Sequence, residues 1–134
     1  MLLRVSRQTS AEAADFDLTP DEARLLLQLA FAAIGRKRFV SAGRLLDVLE
    51  HFRPGDGALL SARAVALLSR RAFRACCEFL EHQATLAPLP PMAAVFYGIA
   101  LHQCGEVFAA RRQWLPVAAQ TEDGAAARFA MTLL

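Results

Sequence analysis

Few side chains in this 134-residue chain could do chemistry: three histidines, His51, His82 and His102, and three cysteines, Cys76, Cys77 and Cys104. Two ligands share one face of a helix only when three or four residues apart, and no histidine has another histidine or a cysteine at that distance. His102 and Cys104 stand two apart, on different faces. Cys76-Cys77 are adjacent and Cys104 stands alone, so neither a disulfide framework nor a C-x-x-C pair exists, and reduced, buried thiols are the reading. Gly55-Asp56-Gly57 lacks the Lys-Ser/Thr that would hold phosphate and magnesium. An enzyme would need the fold itself to gather His102, Cys104 and acidic groups in one pocket. The expectation is no catalytic residue, no metal, no cofactor and no enzymatic activity.

With that chemistry set aside, the elements decide. A chain that is 55% hydrophobic can bury one modest core, which predicts a single domain. Fifteen basic and 13 acidic side chains leave a net charge of only +2, which disfavours nucleic acid and anionic membranes as partners. The opening MLLRVSRQTSAEAADFDL has a two-leucine apolar patch, too short for a signal peptide, and charged residues break each later apolar run short of a bilayer span. A cytoplasmic protein is expected.

ALLSRRAFRACCEFLEHQATLAP, from Ala66, lies 34 residues after AAIGRKRFVSAGRLLDVLEHFRP, from Ala32, and the two share a pattern rather than letters. At that offset Ala30, Ala64 and Gly98 coincide as small residues, followed by Ala33, Leu67 and Leu101, then Phe39, Phe73 and Val107. Ala42, Cys76 and Ala110 are small again; Leu46, Leu80 and Trp114 are large; Pro54 and Pro88 close the first two units. A period of 34 with small, large and proline positions in this order resembles the tetratricopeptide repeat, a helix-turn-helix unit. The physics agrees with the resemblance. Antiparallel helices approach closely only where side chains are small, and a proline ends the second helix because it has no amide hydrogen to donate.

Caps and breakers place the helices. Thr19 at the N-cap, Pro20 at the first helical position and Glu22 as the partner of a capping box start a helix that runs to about 34. Further helices are expected at about 38–52, 58–69, 72–86 and from 91, with a turn at Cys104-Gly105-Glu106 before a sixth that passes Trp114. Pro116 should kink or shorten that helix, and 124–134 forms a terminal helix apolar on more than one face. A solenoid normally ends in a polar cap, so this end is expected to be covered by a partner or a second copy. The predicted fold is all-α: three tetratricopeptide-like repeats, at about 21–54, 57–88 and 91–121, plus a short C-terminal helix in a right-handed α-solenoid. Residues 1–18 are expected to be a flexible segment ahead of a single domain at 19–134.

In tetratricopeptide proteins the first helix of each unit lines the concave face, so the resemblance implies a ligand groove there. The matching positions are Leu27, Phe31 and Ile34, then Ser61, Val65 and Leu68, then Met92, Val95, Ile99 and His102. They are mostly apolar, and they lack the lysine, asparagine and arginine of repeats that clamp a terminal carboxylate. Such a groove suits an amphipathic helix or an extended apolar segment. Arg36-Lys37-Arg38 and Arg70-Arg71 recur at equivalent turns, where an acidic partner or plain solvent would meet them; Arg111-Arg112 lie on an outer helix and read as solvated.

A small three-repeat protein of this kind resembles the chaperones of bacterial type III secretion. One group grips the amphipathic C-terminal helix of the needle subunit; the other holds pore-forming translocators through an extended apolar segment. The short length, the break Pro88-Leu89-Pro90-Pro91, the interrupted last unit and the ending from Ala125 to Leu134 place the needle-subunit group first. LQLAFAAIGRKRFVSA, from Leu27 to Ala42, keeps the translocator group a close second. The needle group implies a small helical co-chaperone on the face carrying Leu25, Leu26, Leu29 and Ile34. A homodimer of the free protein and a general adaptor unrelated to secretion stay open as alternatives.

Overall fold

A computed structural model describes residues 17–120 and 124–134, and within them the chain is entirely helical. The helices are α1 (Pro20–Gly35), α2 (Phe39–Phe52), α3 (Gly57–Ser69), α4 (Phe73–Leu86), α5 (Pro91–Gln103), α6 (Val107–Ala118) and α7 (Gly124–Leu133). Nearly all of the segment expected to be flexible lies outside the described residues. Its last residue, Leu18, packs against the core, and its carbonyl accepts a 2.6 Å hydrogen bond from Arg53 Nη2.

The local signals act as the side chains dictate. Glu22 N–H donates to Thr19 Oγ1 at 3.2 Å and Thr19 N–H donates to Glu22 Oε1 at 3.2 Å, completing the capping box. Asp56 caps α3 by accepting from Ala58 N–H at 2.8 Å. The three turns within the pairs are copies of one another. Arg38, Ala72 and Glu106 each donate a backbone N–H to the carbonyl five residues back, on Ala33, Leu67 and Leu101, at 2.8 to 2.9 Å. The residue before each donor is left-handed: Lys37 at φ 61°, Arg71 at φ 61° and Gly105 at φ 87°.

Successive helices pack in pairs, and α1, α3, α5 and α7 also touch one after another as an inner row. The outer helices α2, α4 and α6 do not touch each other. Small residues stand at the crossings. Ala30 meets Leu46 and Leu49 in the first core cluster, Ala64 meets Cys76 and Leu80 in the second, and Ala110 and Trp114 anchor the third. In the third unit the larger Trp114 requires a smaller opposite residue: a Cβ on Gly98 would lie 2.6 Å from Trp114 Cε2.

Proline 116 shortens its helix. α6 continues two residues past it and stops at Ala118, giving 12 residues where α2 and α4 each have 14. Against α5 and α6 sits α7, whose Ala126, Ala127 and Ala130 are buried while Phe129 and Met131, and Leu134 just beyond the helix, are exposed. The terminal helix closes the inner row and leaves an apolar outer side.

Candidate functional site

The inner row carries the residues that the repeat pattern singles out, and the structure divides them. Val95 is fully buried and Ile34 is 4% exposed, so both belong to the core and offer no side chain to a ligand. This corrects their placement in a groove, and the placement of Ile34 on a co-chaperone face. A position equivalent by period is not equivalent in exposure, because the neighbouring helix covers it differently in each unit. Phe31 remains 40% exposed. Leu27, Ser61, Val65, Leu68, Met92 and Ile99 are half-buried, and of these Leu27, Leu68, Met92 and Ile99 pack against the core clusters. Of the proposed co-chaperone positions, Leu25 and Leu29 are exposed one helical turn apart, while Leu26 packs inward.

Two of these residues meet in one cavity. Ile99 and His102 line a hollow of about 230 Å³ with Gln103, Trp114 and Leu133. The exposed His102 ring stacks on Trp114 with centroids 6.0 Å apart, and Trp114 Nε1 donates to the Val95 carbonyl at 3.1 Å. Leu27 lines a separate hollow at the other end, with Pro20, Arg53 and Leu59 among its walls. Neither Cys104 nor a carboxylate lines the His102 cavity. Among the described residues no three of histidine, cysteine, aspartate and glutamate gather as metal ligands, and no helix is long and apolar enough to cross a membrane.

The cysteines come together in a way their spacing did not indicate. Cys77 Sγ lies 4.0 Å from Cys104 Sγ across 27 residues of sequence, and Cys76 Sγ points at the Ala64 carbonyl at 3.8 Å. Burial, reinforced by Cys104, pushes the Cys76 thiol up to about 11 and the Cys77 thiol up to about 12. Both stay protonated at neutral pH and are poor nucleophiles. Burial, and then the Glu81 carboxylate, likewise raises Tyr97.

A larger surface feature escaped the repeat pattern. Because α2 and α4 do not touch, a trough opens between them with α3 as its floor. One half, about 350 Å³, is lined by Phe39, Gly43, Leu67 and Arg70; the other, about 330 Å³, by Leu60, Leu86 and Pro88 to Pro90. Arg63 and Phe79 line both halves, and Arg63 Nη2 is paired with Asp47 Oδ1 at 2.8 Å. Gly43 on the outer helix was the one signal in the sequence, since it places no side chain where a wall would otherwise fill the gap.

Among the described residues the surface is that of a helical repeat, and the comparisons with known proteins agree on the fold. No protein-family model matches the sequence, and no curated protein matches it. Among solved structures the chain is similar to PcrH in complex with the chaperone-binding region of PopB, with a TM-score of 0.68 and 16% identity, covering 87% of this chain and 98% of that one. The fold is the helical-repeat fold of PcrH. At that identity the likeness is one of backbone architecture. The all-α repeat solenoid expected from the 34-residue period is thereby established.

Proposed function

We propose that this chain is a type III secretion chaperone of the translocator group, acting in the bacterial cytoplasm by binding rather than catalysis. Its ligand would be an extended apolar segment of a secreted protein, laid along the inner row of α1, α3 and α5. The observation that carries this reading is the line of half-buried apolar side chains on that row, Leu27, Val65, Leu68, Met92 and Ile99, with Phe31 more exposed. The likeness to PcrH, which was crystallised with the chaperone-binding region of PopB, favours a translocator over a needle subunit as cargo. The order of the two groups read from the sequence is therefore reversed.

The mechanism is physical. A protein built to enter membranes carries apolar surface that self-associates in water, and a groove that covers the same surface keeps it apart. Val65 and Ile99 stand in consecutive repeats on the row. Val65→Asp and Ile99→Asp each put an unpaired charge where apolar surface should meet apolar surface, and each should weaken cargo binding roughly tenfold or more with helicity retained. The test is co-expression with candidate translocator and needle subunits, followed by size-exclusion chromatography with mass determination. A stoichiometric complex with a translocator, lost in both variants, is the expected result. A complex with the needle subunit alone restores the needle reading, for which exposed Leu25 and Leu29 would be the co-chaperone contact. Unchanged binding in both variants overturns the groove.

A further inference from the structure

The small net charge conceals a strong asymmetry. Between positions 34 and 46 the charged residues are Arg36, Lys37, Arg38 and Arg44; between 68 and 77 they are Arg70, Arg71 and Arg74. Those two stretches hold seven cations and no carboxylate, so the remaining eight basic and 13 acidic residues of the chain carry a net charge of −5. All seven are exposed, and among the described residues none takes part in either ion pair, Arg24–Asp21 or Arg63–Asp47. The two turns are neighbours in space, because the Arg70 guanidinium lies over the Phe39 ring, 5.7 Å from its centroid.

Two further features of the same edge favour an anion. α2 and α4 both begin there, and neither N-cap residue, Arg38 or Ala72, supplies a side-chain hydrogen bond, so the first-turn amides and the positive ends of two helix dipoles add to the cationic field. Lys37 and Arg71 also occupy the left-handed turn position that the third unit fills with Gly105. The backbone there suits glycine, so these long cationic side chains are not required by the turn.

We infer that the edge formed by the first two turns is a docking surface for an acidic polypeptide segment, separate from the inner row. The extent of the charge selects the partner. At the third turn the equivalents of Arg36, Lys37 and Arg38 are Cys104, Gly105 and Glu106, so the cationic stretch spans two repeats and ends. A nucleic acid or an anionic membrane would extend past it onto a molecule that is elsewhere net negative and be repelled. A short run of glutamates or aspartates meets the patch alone.

The turn chemistry supplies a test that separates binding from folding. Lys37→Gly with Arg71→Gly removes two charges at positions where glycine relieves the backbone. A fluorescent oligoglutamate peptide, followed by anisotropy near physiological salt, should bind the native protein and bind the double variant several-fold more weakly, while the variant melts no lower than the native protein. Arg111→Gln with Arg112→Gln, which removes two exposed charges on α6, should leave binding unchanged. Binding should fall steeply with added salt, since exposed charges are screened within about 8 Å at physiological ionic strength. Equal peptide binding by the native protein and the turn variant, an equal loss in the α6 variant, or binding to vesicles rich in phosphatidylserine without binding to the peptide overturns the proposal.

Discussion

Of the seven glycines, Gly98 is the most closely enclosed, with its hydrogen against one ring. Gly98 faces Trp114, which is 3% exposed and held by its hydrogen bond to the Val95 carbonyl, so the indole cannot swing aside to admit a methyl group. Gly98→Ala should destabilise the protein by about 3 kcal/mol, at the upper end of overpacking costs, and lower the midpoint of urea unfolding accordingly. The same substitution is already native in the other units, where Ala30 and Ala64 occupy the equivalent place with Leu46 and Leu80 at the tryptophan position. Unchanged stability in Gly98→Ala would mean that the third unit repacks freely. The small-and-large pairing was legible in the sequence because it repeats with the period. The burial of Ile34 and Val95 and the meeting of Cys77 with Cys104 were not, because each depends on how far a helix of another unit overlaps its neighbour.

Local chemistry also fixed most helix ends. Thr19, Pro20 and Pro91 act where the sequence places them, and the repeat turns follow from one hydrogen-bonding pattern used three times. The trough between α2 and α4 was invisible at this level, since it arises from two elements that fail to touch. Pro116 is the element-scale exception, and it predicts its own remedy. Its side chain is exposed and it stands in the last turn of α6, so replacing it removes little packing and restores an amide able to donate to the Arg112 carbonyl. The full cost of a mid-helix proline is about 3 kcal/mol, and near a frayed end a fraction of that is recovered. Pro116→Ala should raise stability by about 1 kcal/mol, seen as a higher Tm. A lower Tm would show that the early stop is needed to aim the chain toward α7.

For the whole molecule the question is what its last helix contributes. In a solenoid each unit is stabilised mainly by its neighbours, so the terminal unit is the weakest unless it is covered. α7 covers the third unit through Ala126, Ala127 and Ala130, and its Leu133 packs on the cluster that holds Trp114. Its outer side, with Phe129 and Met131 and with Leu134 just beyond the helix, remains apolar and open. Two roles are therefore superposed on ten residues: inner cap and outer contact surface. Ending the chain at Gln120 separates them. Trp114 is the only tryptophan, so its emission reports on the third unit alone. If α7 is a cap, the shortened chain loses about 2 kcal/mol of stability from uncovered apolar surface, its Trp114 emission shifts to the red, and most of the helical signal of the first two units survives. If the outer side is a contact surface between copies, the full chain is a dimer by mass and Phe129→Glu with Met131→Glu makes it a monomer without moving the emission. A shortened chain that matches the full one in emission and unfolding midpoint would leave α7 with only its outer side to justify its place, and the third repeat would then be stable on the packing of α5 and α6 alone.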